Sequence, residues 1–242
     1  MTDFLFDLGN TRLKWATADA PGDARAMAHS GEKILLPPEV SGDAAWVACV
    51  APESLKVTLL DQLSRRFSRV HCAQVRRQQA GLAIAYPDPR QMGVDRFLSL
   101  LACVPVSEPS LVVSVGTALT IDALMPDGQH VGGLIAPSPD LMRSALRGVS
   151  SRLPPEGGAV FDFADNTLDA LASGCAHAAI SLIESRWRAL EAQSGTQAQC
   201  ILHGGGASAL HGFLPRAILQ TNLVLRGLGV WRKSASTPRM SA

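Results

Sequence analysis

Charge of either sign is scarce in this chain, and the little there is balances. Of 242 residues only 18% are Asp, Glu, Lys or Arg, and the formal net charge is +1. Such a surface cannot hold a polyanion by bulk charge, so no nucleic-acid partner is expected. Pairs such as Arg65-Arg66 and Arg76-Arg77 read as solvated helix ends or loops. Cysteines are few and odd in number: Cys49, Cys72, Cys103, Cys175 and Cys200 stand far apart, mostly inside apolar runs. That excludes a disulfide framework and fits the reduced core thiols of a cytoplasmic protein. Every apolar run breaks off short of a bilayer's thickness, so no membrane partner is expected. Asp3 and Asp7 inside the first apolar stretch argue against a secretory leader. The six histidines lack ligand-like spacing, which sets zinc chemistry aside. Two nucleotide signatures are missing as well. There is no Gly-x-x-x-x-Gly-Lys-Ser/Thr run, and no Gly-x-Gly-x-x-Gly follows a strand, so P-loop and dinucleotide folds do not apply.

What is present is a device that occurs twice. Phe4-Leu5-Phe6-Asp7-Leu8-Gly9-Asn10-Thr11-Arg12-Leu13-Lys14 and Leu111-Val112-Val113-Ser114-Val115-Gly116-Thr117-Ala118-Leu119-Thr120 each run as an apolar strand, a glycine turn and an alternating strand. Glycine permits a tight turn with no Cβ in the way, and the amides and hydroxyls beside it can donate to an anion. The offset from Asp7 to Ser114 is 107 residues, a duplication rather than a solenoid period. The reading is therefore an α/β chain of two related halves, 1–107 and 108–242, parted at the proline-bearing 105–109 segment. With 47% apolar residues it has ample material for buried cores.

Strands are expected at 3–8, 13–18, 45–50, 69–75, 111–115, 119–125, 131–136 and 200–203. Leu55, Leu59, Leu63 and Phe67 mark one helix, and Leu168 through about Leu190 a long one. Ser138-Pro139 reads as an N-cap followed by first-turn proline, with Gly148 at the stop. The segment 233–242 reads as a frayed tail.

Three places can carry chemistry. Asp7, at a strand end beside a glycine turn, is either a hard anionic ligand for a metal–phosphate complex or a cap on its own turn. Lys14, Asn10 and Thr11 nearby favour the phosphate. In Gly93-Val94-Asp95-Arg96, Asp95 is either a helix-capping carboxylate or a general base for an acceptor hydroxyl, with Arg96 as a fixed donor. Tyr86, the single tyrosine, lies upstream in the rigid Tyr86-Pro87-Asp88-Pro89.

In this order, these motifs resemble the type III pantothenate kinases of the actin, heat-shock chaperone and sugar kinase superfamily. The likeness also runs through Gly132-Gly133, Asn166-Thr167, Gly204-Gly205-Gly206-Ala207 and Asn222 to Gly227. It implies two duplicated ribonuclease H-like domains with a cleft between them, the paired hairpins gripping one phosphate chain. It further implies ATP-dependent phosphorylation of pantothenate to 4'-phosphopantothenate, the first step towards coenzyme A. Asp95 would be the base. Pantothenate would lie among Tyr86, Gly93, Val94, Asp95, Arg96 and Thr167, the last from the neighbouring subunit of a homodimer. ATP would be held by Asp7, Leu8, Gly9, Asn10, Thr11, Arg12, Leu13, Lys14, Thr117, Gly204, Gly205 and Gly206, with magnesium on Asp7 through the phosphates. Two residues depart from the pattern. Ser114 stands where relatives carry an aspartate that ligates potassium or ammonium, so a monovalent cation is expected to bind weakly, with altered preference, or not at all. Ser138 replaces a glycine. The alternatives are another small-molecule kinase or phosphatase of the superfamily, or a transcription accessory factor of the same fold.

Overall fold

The computed structural model describes residues 2–29 and 34–236. They form two compact units, each built on a five-stranded sheet. The first contains β1 (Phe4–Leu8), β2 (Arg12–Thr17), β3 (Arg25–Ala28), β4 (Gly42–Cys49), α1 (Glu53–Ser64), β5 (Phe67–Cys72), the short hairpin β6–β7 (Gln78–Gln79, Leu82–Ala83) and α2 (Val94–Cys103). Its sheet has the order β3-β2-β1-β4-β5. The antiparallel meander β1–β2–β3 is extended by β4 and β5, which run parallel to β1. Five consecutive residues of β4 are buried, as a central strand covered on both faces requires. Phe6 and Leu8 meet Leu55, Leu59 and Leu63 of α1 in one core cluster.

The second unit contains β8 (Ser110–Val115), β9 (Ala118–Leu124), β10 (His130–Pro137), α3 (Pro139–Val149), α4 (Thr167–Ser194), β11 (Gln199–His203), α5 (Ala207–His211) and β12 (Ile218–Leu219). Its sheet order, β10-β9-β8-β11-β12, repeats the first position for position. Alternate residues Leu111, Val113 and Val115 of β8 pack with Ala179, Ile183 and Trp187 of α4, at helical spacing on a 28-residue helix. Asn166 caps that helix by accepting the Asp169 N–H at 3.0 Å, and Gly195 ends it in a left-handed conformation at φ 69°.

Beside the expected halves 1–107 and 108–242, the chain exchanges segments: Asp127–Val131 and, among the described residues, 221–236 belong to the first unit. The first segment is held by bonds such as Ala83 N–H to the Gly128 carbonyl at 2.9 Å, the second by packing of α6 (Leu223–Ser236). A Cβ at Gly227 would lie 1.8 Å from the Leu98 carbonyl oxygen, so glycine alone allows α6 to press onto α2. Arg232 then donates to Asp3, which also receives the Trp46 indole N–H. Lys233 to Ser236 are accordingly helical rather than frayed, while 237–242 lie outside the described residues. Phe67 belongs to β5, not to α1. It keeps the helix's spacing because both elements face one core, where its ring meets Phe4 and Phe6 edge-on. Ser138 is the expected N-cap, but α3 runs one residue past Gly148. No described helix is long and apolar enough to cross a membrane.

Candidate active site

In the first unit, pairing of β1 with β2 sets Asp7 opposite Lys14 and Leu8 opposite Leu13. The tip between them is closed by the Gly9 N–H donating to the Arg12 carbonyl at 3.0 Å. The second hairpin is one residue tighter. Val115 faces Leu119, and Gly116 donates to Ala118 at 3.0 Å. Where the first hairpin opposes a carboxylate and an ammonium, the second opposes two hydroxyls, Ser114 and Thr120. The copies thus differ in electrostatics as well as in the length of the tip.

Neither tip glycine is demanded by its own turn. Both have ordinary φ, and a Cβ would meet only the Arg12 oxygen at 3.5 Å or the Ala118 oxygen at 3.9 Å. The steric expectation for these turns is corrected: what glycine leaves there is open space. Asn10, Thr11 and Arg12 are exposed, whereas the side chains of Leu8 and Leu13 lie wholly in the core. Those two residues can offer a ligand backbone groups only.

Asp95 stands in the first turn of α2. A Cβ at Gly93 would lie 2.6 Å from Asp95 Oδ1, so the carboxylate folds back over the helix N-terminus, where the backbone dipoles favour negative charge. Burial raises the Asp7 carboxyl to about 6; Lys14 opposes the rise, and the charge of Asp95 adds to it. The two acids of the first unit are therefore electrostatic neighbours. Arg96 follows on the buried face of α2, its Nη1 donating to the Tyr86 hydroxyl at 3.2 Å and its guanidinium 5.7 Å from the ring centroid. The Tyr86 ring lies parallel to His130, with centroids 6.0 Å apart and planes 5° apart. His130 Nδ1 accepts the Ala85 N–H at 3.3 Å. His130 is buried, and nothing local marks it: it lies 44 residues from the tyrosine it supports.

In the second unit, Gly204 has φ 98°, and a Cβ there would lie 2.4 Å from the Val115 oxygen. Gly206 donates its N–H to that same oxygen at 2.9 Å. The Gly204-Gly205-Gly206 turn is thereby clamped beside the second hairpin, whose exposed Thr117 follows directly. Val94 is half-buried and Thr167 is exposed at the start of α4. The predicted residues thus fall into a first-unit group (the Gly9 tip with Asp7, Lys14, Asp95, Arg96 and Tyr86) and a second-unit group (Thr117 with the glycine turn).

Two sheets of identical order, each opening on a glycine-tipped hairpin that offers amides and hydroxyls, define a duplicated ribonuclease H-like fold. A solved Campylobacter jejuni chain named as a Baf family transcriptional activator superposes with TM-score 0.64 at 21% identity, covering 97% of this chain and 100% of that one. A Listeria monocytogenes chain named as an N-acetylmannosamine kinase gives 0.52 at 12%, covering 96% and 99%. At such identities both speak to the fold alone. Sequence goes further. A family profile for type III pantothenate kinase matches residues 4–189. Type III pantothenate kinases of Stenotrophomonas maltophilia and Xanthomonas campestris are 49% and 44% identical, covering 96% and 98% of this chain and 97% and 100% of the relatives. The chain belongs to the type III pantothenate kinase family.

Proposed function

We propose that this chain is a kinase that transfers the γ-phosphoryl group of ATP to the primary hydroxyl of pantothenate, opening coenzyme A synthesis in the cytoplasm. Beyond family membership, one observation carries the reading: Asp95, the candidate base, is close enough to Asp7 for its charge to raise that carboxyl's pKa. A proton acceptor beside an anion-binding hairpin is the juxtaposition phosphoryl transfer needs.

The chemistry asks for positioning and charge neutralisation more than covalent help. Lys14 and the amides of the first tip would receive phosphate oxygens, as would Thr117 of the second. The Gly204-Gly205-Gly206 turn would receive the adenosine. Asp95 would take the hydroxyl proton while Arg96 and Tyr86 orient the vitamin. Among the described residues no group of three or more His, Cys, Asp or Glu could cage a metal. A lone carboxylate such as Asp7 does suit magnesium shared with phosphates, and the metal would supply charge neutralisation there. Ser114 brings no negative charge to a monovalent cation, so potassium or ammonium should have little effect on rate.

We further read the enzyme as a homodimer in which Thr167 completes the partner's pantothenate site. Phe163 (98% exposed), Val149 (90%) and Ile135 (68%) support this, since a lone subunit would leave them to water. The test is ATP consumption with and without pantothenate, scanned over magnesium, potassium and ammonium. Consumption should depend on pantothenate, and Asp95→Asn should cut turnover at least about a hundredfold with ATP affinity near wild type. Turnover within a few fold would remove Asp95 from the mechanism.

A further inference from the structure

The duplicated sheets make a comparison possible that neither half offers alone. β3 and β10 hold the same outer place in their sheets, and the first residue after each reaches a hairpin tip. After β3 comes His29, whose Nε2 lies 3.0 Å from the Gly9 carbonyl oxygen and whose backbone N–H donates to the Thr11 carbonyl at 3.1 Å. After β10 comes Ser138, whose hydroxyl donates to the Thr117 carbonyl at 3.0 Å. A carbonyl accepts only, so His29 carries its proton on Nε2. Its Nδ1 is buried and has no hydrogen-bond partner among the described residues, so the Gly9 bond sets the ring's orientation. Ser138 is almost fully buried, and its oxygen also accepts the Leu141 N–H at 3.2 Å, joining the N-terminus of α3 to the second tip.

We infer that His29 and Ser138 are equivalent positioning residues, each fixing the peptide planes of one hairpin tip for nucleotide phosphates. This rests on the kinase reading above. A trans peptide is planar, with its N–H and C=O pointing opposite ways. Holding the Gly9 and Thr117 carbonyls towards the protein fixes the N–H groups of Asn10 and Ala118 in the opposite direction. A released peptide can flip and turn an oxygen towards a phosphate, converting attraction into repulsion. Each turn's own closing bond uses the glycine N–H, and the braces act on carbonyls that this bond does not involve. They also give Ser138 a use: a glycine there has no side chain with which to grip the second tip.

The experiment compares His29→Ala and Ser138→Ala with His29→Gln and Ser138→Thr, which keep a donor in reach. For each, KM for ATP, KM for pantothenate and kcat are measured, with equilibrium ATP affinity as a readout independent of turnover. The alanine variants should weaken ATP about three- to tenfold, as loss of one hydrogen bond allows, and leave pantothenate KM and kcat within about twofold. The Gln and Thr variants should recover most of the affinity. Because the braces act on different hairpins, the double alanine variant should show roughly the product of the single effects. Unchanged ATP affinity, equal movement of both KM values, or Gln and Thr variants no better than alanine would overturn the inference. A wild-type protein that binds ATP but does not phosphorylate pantothenate overturns the kinase reading instead, and ATP affinity still decides the braces.

Discussion

Half-buried at the end of β1, the Asp7 carboxyl keeps its proton to about pH 6, with desolvation the leading cause and Asp95 a further one. Between the ordinary carboxylate range and that value the folded chain binds a proton that the unfolded chain has released. Asp7 therefore favours the fold at pH below its unfolded value of 3.8, and that contribution is lost as pH rises through about 6. On the proposed role its effect on catalysis would run the other way: a carboxylate that shares magnesium with the phosphates must be ionised, so the acid limb of kcat/KM for ATP should lie near pH 6. Carboxyl 13C titration of the metal-free protein checks this directly. Asp95→Asn should lower the Asp7 midpoint by removing a like charge, and Lys14→Met should raise it; a midpoint that ignores both would separate the two acids. The sequence announced Asp7, Lys14 and Asp95 because each lies in a short motif whose chemistry is local. His29, Ser138 and His130 act on Gly9, Thr117 and Tyr86 across 20, 21 and 44 residues, and only the folded sheets bring them there.

At the scale of elements, the glycines divide into two kinds that look alike as letters. Gly204 is held at φ 98° with the Val115 oxygen where a Cβ would go, so the turn between β11 and α5 cannot accept a side chain. Gly9 has ordinary φ and ordinary clearance, so the hairpin itself would tolerate one. Gly204→Ala should therefore cost stability, about 1–3 kcal/mol or more by denaturant titration. Gly9→Ala should stay within about 0.5 kcal/mol of wild type while weakening ATP, because on the proposed reading the methyl would enter the space of a phosphate oxygen. Equal losses of stability would show that Gly9, too, serves only the turn. The strands with strong apolar patterning were legible. β3 and β12 were not, since their side chains are mostly exposed and they take their places by pairing to longer neighbours. α6 was missed for another reason. Its Gly227 and Gly229 weaken a helical reading, yet the first is what lets the helix reach α2.

For the whole molecule, the repeat of one sheet order was readable from two short motifs 107 residues apart. The return of α6 to the first unit was not, because it depends on a tertiary fit, Gly227 against the Leu98 carbonyl of α2, that no local pattern announces. Phe163, Val149 and Ile135 each stand exposed on the single chain, and the proposed homodimer would give them a partner and Thr167 a role. If one subunit supplies Asp95 and the other Thr167, two crippled proteins should repair each other. Asp95→Asn would then lack its base, and Thr167→Ala should bind pantothenate poorly, so each alone should be slow at low pantothenate. Mixed and allowed to exchange subunits, they form hybrid dimers in which one site carries both lesions and the other carries neither. Random exchange makes half the dimers hybrid, so activity should climb to about a quarter of wild type. Phe163→Asp in both partners should abolish the recovery and shift the sedimentation coefficient to that of a monomer. No recovery from a mixture that sediments as hybrid dimers would place Thr167 in its own subunit's site, or in none.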